Sequence, residues 1–420
     1  MDASRFASPH IVHLAHTTAA GGAELALRRL LDAESDWQAS LLVPAREEED
    51  VFSEVSSRSV RGVRQLAGAS SGGPLRMVGL AARLLVQAAV TRWHHRVRDS
   101  DLVVANSTRA AAYGALAVLG TERPFVVHLR DHVTPESLGS FGYKMMTRLV
   151  LPRADGVVAN SRGTLATASS FLRHDAVSAV IPSPSGLGAL RSLPRAEGQP
   201  LRIGMLARLD PWKGQLDLIE AFARAFPDGD VELDLAGAAL FEHDSFVAQL
   251  RRRAEELGVA DRVNFLGHVD DIAPLLASWS ITVQYSMRPE PLGQNVLQCL
   301  AAGTALVTAD EGGPVEWVHH EQNGLRVAPR DVDALSAALR RLADDPQLRM
   351  RLGRAARATP GLLDDADIAT IHAHLYRDVI GTAYTGRMDH VDLTPVPIPL
   401  ESSHPIAAFQ AIPVAGARTT

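Results

Sequence analysis

Short apolar runs alternate with longer amphipathic ones along most of the chain, and the two periods set the expected elements. In the first half, IVHLAHT (11–17), ASLLVP (39–44), DLVVANS (101–107), FVVHLRD (125–131), GVVANS (156–161) and AVSAVIP (176–182) predict strands. Several are continuously apolar, the pattern of parallel strands covered by helices on both faces. Two of them echo each other: DLVVANSTRAAA and DGVVANSRGTLA each read as a strand, an Asn-Ser cap and a helix. A second series follows, with LRIGMLA (201–207), VELDLAG (231–237), RVNFLGHV (262–269), ITVQYS (281–286), TALVTAD (304–310) and GLRVAP (324–329).

Between the two series, residues 182–200 lose the periodicity and gather Pro and Gly, which reads as a linker between domains. The expected organisation is therefore two doubly wound α/β units meeting across a cleft. The first covers 1–190, the linker 191–200 and the second unit 201–365. A helix over 366–385 is expected to pack back on the first unit, and the Pro-punctuated tail 386–420 to be disordered. A chain of 420 residues is also too long for one ordinary core.

Composition narrows the class. With 46% apolar and 21% charged residues the chain reads as soluble and globular. A formal charge of −6 excludes a nucleic-acid footprint. The one cysteine, Cys299, excludes an intramolecular disulfide framework and fits a reducing cytoplasm; it lies in an apolar helical run and reads as buried filler. No secretory signal pattern opens the chain and no run of 18 apolar residues occurs, so a cytoplasmic protein is expected, with the inner membrane face as an alternative. Residues 75–98 carry five arginines and no acid. They read either as a sheet-covering helix with a solvated basic face or as a helix that docks on an anionic bilayer. Only two lysines occur, Lys144 and Lys213, in a chain otherwise saturated with arginine.

Three stretches carry candidate chemistry. In TTAAGGAELAL (17–27), Gly21 and Gly22 open a helix directly after the first strand, so helix-start amides could meet a diphosphate or a sugar oxygen, although a plain tight turn gives the same pattern. In GMLARLDPWKGQLDLIEAF (204–222), Arg208 and Lys213 stand between a strand's carboxyl end and a helix N-terminus, which makes a polyanion site. In RPEPLGQNVLQCLAAG (288–303), Glu290 precedes a Pro-Leu-Gly turn, and Gln294 and Gln298 share a face of the following helix. The histidines form no tight ligand cluster, so no metal is expected.

RLDPWKGQLDLIEAF, NFLGHVDDIAPLLASW, RPEPLGQNVLQCLAAGTALVTADEGGPVEWV and NGLRVAP, in that order and spacing, resemble the retaining glycosyltransferases of family 4. The resemblance is strong over about 201–345, and GGAELAL, VVHLRD and VVANS extend it through the first half. It implies the GT-B architecture, two Rossmann-like domains with the acceptor on the first and the nucleotide-sugar on the second. Arg208 and Lys213 would hold the donor diphosphate, and Glu290 the hydroxyls of the transferred sugar beside the amides of Leu292 and Gly293. His128 would contact the sugar near the reacting carbon, and the stretch Gly267 to Val269 would lie by the base. The family carries a second glutamate where this chain has Gln298, at the position that holds the nucleotide ribose. A glutamine there reads as relief from like-charge repulsion, so Gln298→Glu would be tolerated.

The implied activity is metal-independent, retaining transfer of a sugar from a nucleoside-diphosphate-sugar, with no cofactor beyond that co-substrate. The acceptor would be a small molecule or lipid-linked, belonging to a cell-envelope intermediate or a secondary metabolite. Two other readings remain open: a sugar-nucleotide epimerase or phosphorylase on the same fold, and a non-catalytic subunit that binds nucleotide-sugar.

Overall fold

The computed structural model describes residues 8–43, 50–55, 58–60, 74–191, 201–239 and 244–385. The chain forms two compact units, Met1–Pro184 with Asp365–Thr420, and Ser185–Asp364.

In the first unit the strands are β1 (His10–Leu14), β2 (Gln38–Val43), β3 (Arg58–Val60), β4 (Leu102–Ala105), β5 (Phe125–Leu129), β6 (Gly156–Ala159) and β7 (Val177–Val180). They pair in the order β3-β2-β1-β4-β5-β6-β7, every pair parallel. Each expected strand is present but ends before its expected run does, because the last residues of each run already belong to the loop at the carboxyl edge. The short edge strand β3 was not anticipated. Val12, Leu14, Val103, Val127 and Val157 form the buried centre, in keeping with two covered faces. The helix Asp365–Thr385 packs on this unit with Tyr376, Val379 and Ile380 buried. Gly156 makes room for it, since a Cβ there would lie 2.7 Å from Cγ2 of Val379.

The second unit holds β8 (Arg202–Leu206), β9 (Glu232–Ala236), β10 (Val263–Gly267), β11 (Ile281–Gln284), β12 (Ala305–Ala309) and β13 (Leu325–Val327). Their order is β10-β9-β8-β11-β12-β13, again parallel. Each sheet therefore reverses its winding once, between β1 and β4 in the first and between β8 and β11 in the second. In such sheets the crevice outside the carboxyl ends at the reversal is where ligands bind.

The division between units falls at Pro184/Ser185, ahead of the 1–190 and 191–200 bounds expected from composition. Leu187 and Leu190, one turn apart on the helix Leu187–Arg191, are buried in a cluster with Val296, Leu297 and Leu300. Apolar burial thus binds this Pro- and Gly-rich stretch to the second unit. Residues 192–200 and the tail 386–420 lie outside the described residues. The cationic stretch 75–98 is two helices, Pro74–Trp93 and His95–Arg98, separated at His94, whose side chain caps the second. Among the described residues no helix is long and apolar enough to cross a membrane.

Two glycines, Gly204 in the second unit's core and Gly79 on a helix of the first unit, predict a sharp contrast. A Cβ at Gly204 in β8 would lie 1.9 Å from the Trp279 ring, which is anchored by its Nε1 donating to Asp234 at 2.8 Å. Gly204→Ala should lower stability by about 1–3 kcal/mol, read from the urea midpoint. At Gly79, within a helix, nothing lies within 4 Å of a new Cβ, and Gly79→Ala should be neutral or stabilising.

Candidate active site

β8 ends at Leu206; Ala207 and Arg208 follow it, and the chain then turns through a 3-10 segment, Pro211–Lys213, capped by the Asp210 side chain. Gly214 follows with φ +81°, and a Cβ there would fall 1.9 Å from the Tyr285 carbonyl oxygen. Only glycine meets both demands, and it starts the helix Gln215–Ala225 directly behind Lys213. Gln215 donates to the Arg208 carbonyl at 2.8 Å, and Met287 N–H donates to the Trp212 carbonyl at 2.7 Å. The loop after β8 is thereby tied to the loop after β11.

That second loop delivers Glu290. Its carboxylate is 8% exposed and pairs with the Lys213 ammonium, itself 17% exposed. Ser286 Oγ donates to the same carboxylate oxygen at 2.6 Å. The Lys213 ammonium also lies 4.0 Å from the Trp212 ring centroid, and the Arg288 guanidinium lies 4.9 Å from it. Arg208 is more exposed and pairs with Asp210 at 3.0 Å. Leu292 is buried, and Gly293, at φ +79°, starts the helix Gln294–Ala302. Gly267, also at positive φ, is exposed at the end of β10, with Val269 half-buried beyond it.

Sequence reasoning missed the floor of this site, Gly312 and Gly313. A Cβ at Gly312 would lie 2.5 Å from the Glu290 nitrogen, and one at Gly313 2.6 Å from the Leu292 Cα. Gly313 N–H donates to the Glu290 carbonyl at 2.7 Å. Two adjacent glycines after a predicted strand, in DEGGP, were the available signal. Beside them, Oε1 of Glu311 is buried with no hydrogen-bond partner.

The first unit has its own polar cluster at the carboxyl edge. The two VVANS echoes play matching parts. Ser107 and Ser161 each accept a backbone N–H at a helix start, while Asn106 accepts from Arg130 at 2.8 Å and Asn160 donates to the Arg130 carbonyl at 3.2 Å. Arg130 further donates to Ser183 Oγ at 2.6 Å and to Nδ1 of His128 at 3.1 Å. Since arginine only donates, His128 carries its proton on Nε2, which faces the Tyr376 hydroxyl at 3.1 Å. His13, His128 and His372 gather around Tyr376. Burial, reinforced by Arg130 and neighbouring histidines, lowers His13 to about 3 and His128 well below the ordinary imidazole value. Burial also takes His372 to about 4 and, with Arg109, His16 to about 4. Burial likewise lowers Arg130 to about 10. Among the described residues no group of three or more His, Cys, Asp or Glu side chains is placed to hold a metal.

A family model described as glycosyl transferases group 1 matches residues 191–359, and one described as a glycosyl transferase 4-like domain matches residues 21–184. The chain belongs to the group 1 glycosyltransferase family. Its fold is GT-B, with two Rossmann-like units. The crystal structure of HepE from Anabaena in complex with UDP and glucose is similar over 87% of this chain and 98% of that one, at 26% identity and a TM-score of 0.71. Glycogen synthase of Mycobacterium tuberculosis is 36% identical over 183 residues, 42% of this chain and 42% of that protein. The lipopolysaccharide core biosynthesis glycosyltransferase LpsE of Rhizobium meliloti is 33% identical over 49% of this chain and 58% of its own length. The match thus spans less than two thirds of either curated relative.

Three positions expected from the family resemblance or from the glycine pattern stand differently in this member. His128 is buried within β5, and both its nitrogens face protein groups; the sugar contact implied for it has no free ring nitrogen to use. Arg130, two residues on and past the strand's end, is the half-buried polar group at that edge. At Gly21, a Cβ would lie 2.5 Å from the Glu24 carboxylate. An acid therefore already lies against the helix start, and a diphosphate at Gly21 and Gly22 would meet a like charge. Gln298 is 7% exposed and its Nε2 donates to the Ser185 carbonyl at 3.0 Å. The glutamine is explained by that bond, which a carboxylate cannot make.

The Gln298 contact reverses the tolerance expected from charge alone. Gln298→Glu should lose about 1–3 kcal/mol of stability, because two acceptors then face each other in a buried site. Thermal unfolding of the variant checks this, and an unchanged Tm would restore the ribose role as its sole reason.

The histidine cluster predicts acid sensitivity. These histidines have folded pKa values below their unfolded 6.5, so the unfolded chain binds more protons once pH falls below about 6.5. Stability is full above that pH and declines towards pH 4, by roughly 1.4 kcal/mol per histidine per pH unit. His13→Leu, which removes a ring with neither nitrogen partnered, should flatten the fall in Tm between pH 7 and pH 5.

Proposed function

We propose that this protein transfers a sugar from a nucleoside-diphosphate-sugar to an acceptor hydroxyl with retention at the anomeric carbon. The observation that carries this reading is the convergence of Lys213 and Glu290 at the reversal point of the second sheet, Lys213 directly before and Glu290 three residues before a positive-φ glycine that starts a helix. Arg208 stands at the same strand end. Fixed cations and helix N-termini there suit a diphosphate, and a carboxylate suits sugar hydroxyls. The HepE complex holds UDP and glucose, which makes uridine diphosphate the first nucleotide to test.

In this reading the anomeric carbon–oxygen bond breaks with its electron pair going to the leaving diphosphate. Lys213 and Arg208 stabilise the charge that grows there. Glu290, freed from part of its bond to Lys213 and held by Ser286, accepts from sugar hydroxyls. The acceptor oxygen attacks the same face, forms the new bond and gives its proton to the departing phosphate oxygen. Lys213 and Arg208 provide positive charge at the leaving group without a metal. A cell-envelope intermediate or a secondary metabolite is the proposed acceptor class; the former is supported by the similarity to LpsE, named for lipopolysaccharide core biosynthesis.

Lys213→Ala should cut turnover by roughly two orders of magnitude, about 3 kcal/mol in activation. Lys213→Arg should also be impaired, because a planar fork cannot replace an ammonium packed on Trp212. Glu290→Gln should lower turnover while UDP affinity holds. The assay is release of nucleoside diphosphate from donor with and without acceptor, scored for the anomeric configuration of the product. An epimerised donor, phosphate-dependent release or no turnover in the parent with any nucleotide-sugar would overturn the proposal.

A further inference from the structure

The helix Pro74–Trp93 turns the wrong face outward. Its buried positions include Leu80, Leu84 and Ala88 but also Gln87 and Thr91. Its exposed positions from residue 81 onward are Ala81, Ala82, Leu85, Val86, Ala89, Val90 and Trp93, without one charged or hydrogen-bonding group except the Trp93 indole N–H. Leu85 is 60% exposed, Val86 50% and Trp93 71%. At roughly 100° per residue these positions share one arc of about half the helix circumference. Arg83 and Arg92 fall at the two edges of that arc, both half-buried. Arg92 is fixed by donating to the carbonyls of Ala117 and Leu119, and Leu119 is a further exposed apolar side chain.

Charge decides between candidate occupants. The helices Pro74–Trp93 and His95–Arg98 together contain Arg76, Arg83, Arg92, Arg96 and Arg98 and no acid. A second copy of the same face would set arginines against arginines. Anionic headgroups would instead meet arginines at the edges of an apolar strip, with Trp93 at the interface, where its ring and N–H are both satisfied.

We infer that the outward face of Pro74–Trp93 is a docking surface for an anionic lipid bilayer, with Leu85, Val86, Val90 and Trp93 entering the headgroup–acyl boundary. The helix lies in the membrane plane. This goes beyond the transfer reaction and does not depend on it, since none of these residues belongs to the second unit's site.

The test is co-sedimentation of the full chain with phosphatidylglycerol-containing vesicles and with pure phosphatidylcholine vesicles, over a range of salt. The parent should sediment with the anionic vesicles at low salt, bind at least tenfold more weakly to the neutral ones, and release as salt rises. The double variant Val86→Glu/Val90→Glu should lose anionic-vesicle binding at least tenfold. Its Tm and its thermal shift with UDP should match the parent's, since both positions are exposed. Trp93 fluorescence should shift to the blue on vesicle addition. Failure of the parent to sediment at low salt would overturn the inference, as would equal binding by the double variant. A parent dimer in light scattering that the double variant abolishes, without vesicle binding, would also overturn it and assign the face to a second copy. Loss of the UDP shift alone would bear on the transfer reaction and leave this inference standing.

Discussion

Lys213 and Glu290 stand 77 residues apart in sequence, yet each side chain is largely withdrawn from water and satisfied chiefly by the other. Removing one partner of such a pair leaves a buried charge and typically costs about 3–5 kcal/mol. The surrounding backbone is shaped to prevent that. Trp212 carries the lysine's ammonium, Ser286 fixes the carboxylate, and a Met287-to-Trp212 backbone bond binds the two loops together. The sheet order places these loops side by side, because β8 and β11 are neighbours across the winding reversal.

The pair also explains the glycines of the second unit. Gly214 and Gly293 take positive φ and start the helices that follow Lys213 at once and Glu290 after a Pro-Leu turn. Gly312 and Gly313 let another loop approach the Glu290–Leu292 backbone within a distance that any Cβ would block. A site that must present cations, a carboxylate and helix-start amides in one place has little room for side chains that do none of these.

Much of this was legible in the sequence. The apolar runs located twelve strands because parallel strands are buried on both faces and leave a continuous signal. β3 escaped because three residues, RSV, are too few for a pattern. The rarity of lysine singled out Lys213, and the turn chemistry of PEPLG singled out Glu290. What could not be read were contacts set by tertiary packing. His128 and Arg130 are two residues apart in one motif, and only the covering helix that brings Tyr376 and His372 shows that the first is enclosed. Gln298 looked like an electrostatic compromise until Ser185 supplied the carbonyl it serves. The stretch 182–191 looked like linker, although Leu187 and Leu190 were already at helical spacing. The apolar face at Leu85, Val86 and Val90 hid in a stretch whose arginines dominated its reading.

The central claim is that the Lys213–Glu290 pair is the donor site held ready, its lysine satisfied by the glutamate until a diphosphate arrives. A double-mutant cycle on Lys213→Ala and Glu290→Ala, measured by chemical denaturation with and without saturating UDP, tests it most directly. The account predicts a favourable coupling energy in the absence of nucleotide that falls markedly when UDP is bound, as the lysine turns to the phosphates. A coupling of the same size in both conditions would contradict it, and would make the pair a structural brace with no part in binding the donor.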